Sequence, residues 1–297
     1  MFRSIFQDLK YGLRSGSTVT KIILINVLLF VVVGVILKSF VPDAYDWLVP
    51  YLALSSDLVW NLTHPWVIIT HIFIHAGIWH ILWNMLQFYW FGNIVGDLIG
   101  DKKILALYIY GAFSGVILYL VSYHFILPEH YIGAYAFGAS AAVMAVTVAA
   151  GFLAPDYKLH LILIGPVSIK YIVLFMVISD LVGTTGMINT GGHFAHLGGA
   201  ILGWIFISNL KSGNDLSIGF NKFVGYLMEK ITGIISKPKL RVAHKSPGFK
   251  HENRYGANKS GHLREVDRIL EKIHRHGYDS LTKEEKKVLF DAGKNED

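Results

Sequence analysis

Long apolar runs, broken by short polar stretches, dominate the first two-thirds of the chain. A helix needs about 20 apolar residues to cross a bilayer. Residues 18–40 reach that length just beyond a segment carrying Arg3, Lys10 and Arg14. Further runs occupy 78–99, 104–127, 138–153, 167–182 and 192–210. The pattern predicts an all-α polytopic membrane protein, a bundle of six transmembrane helices. The first run has the flanks of a signal anchor, but no small-residue cleavage site follows, so it is read as mature structure. The fourth is short: about 16 residues at about 1.5 Å each cover about 24 Å of a core about 30 Å thick. Its Gly138 end is expected to start below the outer surface, with the apolar loop 131–137 dipping in before it.

Beyond Lys211 the pattern changes. Ile218, Phe220, Phe223, Val224, Leu227, Met228 and Ile231 recur at helical spacing, which predicts an amphipathic helix on the inner leaflet. Residues 237–259 read as a basic linker containing Gly, Pro and Ser. Residues 266–276 read as a helix stopped by Gly277. Ser280-Leu-Thr-Lys-Glu-Glu reads as the capped start of another helix, running to Ala292. The expected divisions are a cytoplasmic segment at 1–17, the membrane domain at 18–210, the amphipathic helix and linker at 211–262, and a small cytoplasmic helical hairpin at 263–297.

Composition agrees with the pattern. The 297 residues are 53% hydrophobic and 16% charged, whereas soluble domains carry about 25% charge. That excludes an ordinary cytosolic enzyme, a secreted disulfide scaffold and a disordered chain. The absence of cysteine removes disulfides, a thiol nucleophile, Cys-based zinc sites and iron–sulfur clusters. The net charge of +6 sits between and after the apolar runs, so no nucleic-acid partner is expected. Basic segments (the N-terminus, Lys102 and Lys103, Lys158 and Lys170, the tail) alternate with connections at 41–77, 128–137 and 183–191 that lack Lys and Arg. The alternation predicts that both termini are cytoplasmic. The connection 41–77, rich in Tyr and Trp, is expected in the outer interface.

Polar groups within spans mark functional candidates. Three clusters open the second, fourth and sixth runs: His71, His75, His80 and Asn84; Gly138 and Ser140; and His193, His196, Gly199 and Gly203. In the predicted topology these three helices run the same way, so the clusters share one depth in the outer third of the membrane. With no cysteine, Ser140 is the candidate nucleophile and His196 its candidate base. Gly199 and Gly203 form a small-residue face that lets two backbones approach. His80 and Asn84, four apart, project from one helix face, and their N–H groups suit an oxyanion, as does the Ser140 amide at a helix start. Asp180 is level with the site as a candidate accessory to His196, or else anchors a loop by a hydrogen bond. His71 and His75 have metal-ligand spacing but no carboxylate partner, and are read as structural. His193 is read as lining the cavity. Asn61-Leu-Thr63 is a formal glycosylation sequon to which no role is given.

These motifs, in this order, resemble the rhomboid family of intramembrane serine proteases. The resemblance covers about 18–210. It rests on His80-x-x-x-Asn84, Gly138-x-Ser140 and Ala195-His196-x-x-Gly199-x-x-x-Gly203. It implies a Ser140–His196 dyad, with His80, Asn84 and the Ser140 amide holding the oxyanion. It also implies transmembrane protein substrates, cut near the outer face through an acyl-enzyme, in a lipid bilayer and without metal or cofactor. The hairpin resembles the cytoplasmic extension of some bacterial members, which implies a multi-pass protein of the bacterial inner (plasma) membrane. A substrate helix is expected to enter past the fifth helix and unwind. Three positions depart from the family pattern: Ala141 follows the serine in place of Gly, Met144 replaces a common aromatic, and Val67 follows Trp66 in place of Arg. The alternative function is a catalytically weak or inactive rhomboid-like protein that binds membrane clients. A transporter would call for broken helices and an internal repeat.

Overall fold

The computed structural model describes residues 2–128, 132–161, 164–186, 189–235, 257–276 and 280–293. The chain divides into two compact units, Met1–Ser236 and Lys237–Asp297. In the first, α1 (Phe2–Ser15) precedes α2 (Thr18–Leu29), which runs on through π-helical Phe30–Leu37 to Phe40. The connection then folds into short helices α3 (Pro42–Leu48), α4 (Leu58–Thr63) and α5 (Val67–Thr70), with strand β1 (Leu54–Ser55) between α3 and α4. Long helices α6 (Ile78–Ile99) and α7 (Ile104–Phe125) follow, then β2 (Tyr135–Ala136) and α8 (Ser140–Leu153). Hairpin strands β3 (Lys158–Leu161) and β4 (Gly165–Ser168) lead to α9 (Ile169–Gly183), α10 (Thr190–Lys211) and α11 (Ser217–Ile235).

The protein is helical, as its pattern predicts, and helices occupy all the predicted apolar runs. Among the described residues, Thr18–Phe40 and Asp101–Phe125 are each long and apolar enough to cross a membrane. Ile78–Ile99 meets that test together with Val67–Phe73, from which it bends by 95°. The predicted fifth helix starts two residues late. Val167 and Ser168 belong to β4, where Val167 pairs with Leu159 and the first residue, Gly165, has a φ of +86°. Hydropathy alone does not separate a short apolar strand from the first turn of a helix. The loop before Ser140 is expected to dip in, with no strand predicted in it. Its Tyr135–Ala136 segment pairs with Leu54–Ser55, and the Gly138 amide donates to the His71 carbonyl at 2.8 Å.

The centre of this unit is built from small residues. A Cβ on Gly199 would lie 2.0 Å from the Ala141 carbonyl oxygen, and one on Gly203 would lie 2.2 Å from that of Ala145. One on Gly111 would meet the Ala145 methyl at 2.4 Å, and one on Gly198 the Ser114 carbonyl at 2.5 Å. Backbone therefore lies on backbone where α7, α8 and α10 meet, which only Gly permits. Larger side chains fill the rest of the core, among them Phe88, Tyr108, Phe206 and Ile207. Polar ties hold the ends. The Asp101 carboxylate accepts from the Thr18 amide at 2.8 Å and its hydroxyl at 2.6 Å. Asp215 accepts from the Ser217 amide at 2.9 Å and pairs with Lys103 at 3.1 Å. Burial opposes the Asp215 charge, but the Ser217 donors and Lys103 outweigh it and hold the carboxyl below its ordinary range. On α11, Ile218, Phe223, Leu227 and Met228 are exposed while Phe220 packs edge-on to Tyr110 at 5.4 Å. All five belong to the apolar stripe that the periodicity predicts.

The second unit contains α12 (Ala257–His276) and α13 (Lys283–Gly293). The expected linker at 237–259 and the Gly277 stop lie largely outside the described residues. α12 begins nine residues before the predicted helix, because its first turns are polar and carry no apolar period to read. The predicted cap forms: the Thr282 amide donates to the Glu285 carboxylate at 2.9 Å, and the Glu285 amide to the Thr282 hydroxyl at 3.2 Å. Lys272 donates to Glu285 at 2.8 Å, and that ammonium with the Thr282 amide holds the Glu285 carboxyl below its usual range. Ile269 and Leu281 are buried.

Candidate active site

Ser140 is the first residue of α8. The turn before it depends on Gly138, whose φ of +122° lies where L side chains are strained and where a Cβ would stand 2.6 Å from His80 Cε1. His75 supports the same turn, its Nε2 accepting from the Ala139 amide at 3.4 Å. His71 donates from Nδ1 to the Val67 carbonyl at 2.9 Å. Both therefore serve the backbone around the site. His75 and His80 lie 5.1 Å apart, ring to ring.

His196 comes from the second turn of α10. Its Nε2 lies 2.7 Å from Ser140 Oγ, and its Nδ1 lies 2.7 Å from Asp180 Oδ1. The roles follow from chemistry. An ionised carboxylate only accepts, so Nδ1 carries the proton; in a neutral ring Nε2 then accepts from the serine hydroxyl. Asp180 is 6% exposed. Its Oδ1 also accepts from His193 Nδ1 at 2.8 Å, so one oxygen holds two imidazoles. The His193 ring lies over Gly183, where a Cβ would stand 2.5 Å from Cε1. The Asp180 carboxylate, anticipated either as accessory or as loop anchor, meets His196 directly.

A cavity of about 670 Å³ is lined by Trp79, His80, Asn84, Gly138, Ser140 and His196. A second, of about 240 Å³, reaches Ser140 from the α9 side, past Met144, Phe175 and Asp180. His80 Nδ1 accepts from the Ala76 amide at 3.4 Å, which leaves its Nε2–H as a donor. Asn84 donates one amide hydrogen to the His80 carbonyl at 2.8 Å and retains the other. The structure thus brings His80, Asn84, Gly138, Ser140, His196 and Asp180 to two cavities that share Asn84, Ser140 and His196. Such a set offers a hydroxyl, a base held in one tautomer and N–H donors beside them, the parts needed for acyl transfer.

Gln87 also lines both cavities and donates to the Thr147 hydroxyl at 2.8 Å. Sequence reasoning passed over it, although its spacing of three from Asn84 inside an apolar run was a usable signal. The departures from the family pattern are accommodated. Ala141 points its methyl at Gly115, where a Cβ would lie 2.5 Å away. Met144 is buried and lines the second cavity. Val67 is fully buried, and Trp66 donates to the Tyr51 carbonyl at 2.8 Å.

Comparison with known proteins gives two matches. Residues 62–211 match the family model of the Rhomboid domain. Residues 251–294 match a family of unknown function, DUF6576. No curated protein matches the chain.

Proposed function

This chain belongs to the rhomboid family, a family of intramembrane proteases, and we propose that it is an active serine endopeptidase cutting transmembrane helices near the outer membrane face. One observation carries the proposal: the continuous bond series from Ser140 Oγ through His196 to Asp180, opening onto a cavity of about 670 Å³. His196 Nε2 takes the Ser140 proton as Oγ attacks the scissile carbonyl. Asp180 holds the ring in the tautomer that can accept it and stabilises the imidazolium that forms. The oxyanion is held by the Ser140 amide, the His80 Nε2–H and the free Asn84 hydrogen, with Gly138 keeping the turn open. The imidazolium returns its proton to the leaving amine. Water from the outer cavity then hydrolyses the acyl-enzyme by the same base.

The setting belongs to the same proposal. Helices α2, α6, α7, α8, α9 and α10 serve as six spans, both termini face the cytoplasm of a bacterial cell, and the enzyme sits in its inner membrane. Substrates are membrane proteins that pass α9. The snug fit of Ala141 against Gly115 favours an active enzyme over a client-binding relative, because the extra methyl is taken up away from the nucleophile.

The test compares wild type, Ser140→Ala and His196→Ala in liposomes on a single-span substrate. The expected result is cleavage by wild type alone, with a fluorophosphonate label attached at Ser140. Cleavage by all three, or by none with folded protein, overturns the proposal.

A further inference from the structure

One ligand atom from each of Asp180, His193 and His196 lies within 4.8 Å of the others, and both Nδ1 atoms bond Asp180 Oδ1. The proposed chemistry uses the carboxylate and one imidazole and leaves His193 without a function. Two imidazole nitrogens gathered on one carboxylate oxygen form a donor set suited to zinc, which takes three such protein ligands plus water at about 2.0–2.2 Å. We propose that these three residues form an inhibitory zinc site.

The geometry supports it in three ways. Tetrahedral zinc needs its ligand atoms about 3.3 Å apart, so the two N···O separations of 2.7 and 2.8 Å open by roughly half an ångström when a metal replaces the bridging hydrogens. Gly183 leaves the space in which the His193 ring stands. Access exists as well: the cavity of about 240 Å³ that reaches Asp180 and His196 has room for the water that completes the shell.

The inhibition follows from proton placement. Ionised Asp180 needs no proton change to ligate. Each neutral imidazole gives its Nδ1 lone pair to the metal and carries its one proton on Nε2 instead. His196 Nε2 then donates toward Ser140 Oγ and has no lone pair with which to accept its proton. The base is lost as the two Nδ1–H···Oδ1 bonds to Asp180 give way to metal bonds, each proton moving from Nδ1 to Nε2 with no net proton released. This consequence rests on the function proposed above; the binding itself does not.

The experiment therefore measures the two separately, on full-length protein without a polyhistidine tag. Zinc binding is followed by calorimetry on Ser140→Ala, and cobalt ligation by visible absorption. One ion per chain is expected, with affinity falling at least tenfold in the double variants carrying His193→Gln or Asp180→Asn. Cleavage by wild type should fall reversibly with zinc and recover with chelator. The half-inhibiting concentration should rise at least tenfold in His193→Gln, relative to its own zinc-free rate. Absence of saturable binding to Ser140→Ala, or binding unchanged by both substitutions, overturns the site. Binding as described by a protein that cleaves nothing upholds the site and overturns the protease.

Discussion

The helix that carries Ser140 and the helix that carries Asp180 are packed in opposite ways. α8 is buried without interruption from Ala141 to Gly151. α9 buries only Ile169, Val173 and Asp180, and it exposes Leu174, Phe175, Ile178, Leu181 and Val182. The compositions match. α8 is rich in Ala, which lets neighbouring backbones come close, whereas α9 carries the large side chains that suit lipid. At the Gly151 end the two helices touch through Val173, since a Cβ on Gly151 would lie 2.9 Å from Val173 Cγ2. At the other end α9 is held by Asp180 on two imidazoles. The Ser–His distance is thus set by a rigid helix pair, while the orienting carboxylate sits on an element with little packing of its own. In the function proposed above, this is the wall a substrate helix passes.

The comparison breaks most visibly at the nucleophile. Ser140→Ala or His196→Ala is expected to lower cleavage by at least about 10³-fold with an unchanged thermal midpoint in detergent. A loss of folding would mean that the pair is structural. Next comes the close approach: Gly199→Val drives a side chain into the Ala141 carbonyl, and overpacking of this kind costs about 1–3 kcal/mol or more. Both midpoint and cleavage should drop; a well-folded, active variant would disprove the rigid pair. Asp180→Asn sharpens the other half. It should reduce kcat by about 10²-fold or more with KM little changed, as expected for a residue that positions His196 without touching substrate. Leu174→Ala, on the exposed face of α9, should shift stability by no more than about 0.5 kcal/mol.

The smallest effect lies outside the membrane unit. Glu285 has a lowered pKa in the fold, so its contribution is complete above the unfolded value and lost as pH falls through the folded one. Glu285→Gln should speed amide exchange at Thr282 and Glu285 at neutral pH, and wild type should approach the variant in acid. Equal exchange at every pH would mean that the cap contributes nothing.

Much of the site was legible in the chain. Ser140, His196, His80 and Asn84 stand out because polar groups are costly in apolar runs, and the Gly199–Gly203 spacing foretold the close helix contact. Gln87 was overlooked for the lack of a motif around it. The short strands beside Ser140 were hidden because their pairing joins Leu54 to Ala136, a contact with no local period. The polar start of α12 offered no apolar stripe to detect.

What the residues alone determined is the helical architecture and the cast of reactive groups, because lipid demands internally bonded backbone and makes each buried polar side chain conspicuous. What the three-dimensional arrangement decided is which of those groups touch. Asp180 and His193 are 13 residues apart, on helices whose relative rotation no periodicity specifies. Only the packing of α9 beside α10 turned the carboxylate inward, onto the two imidazoles, instead of out to the loop.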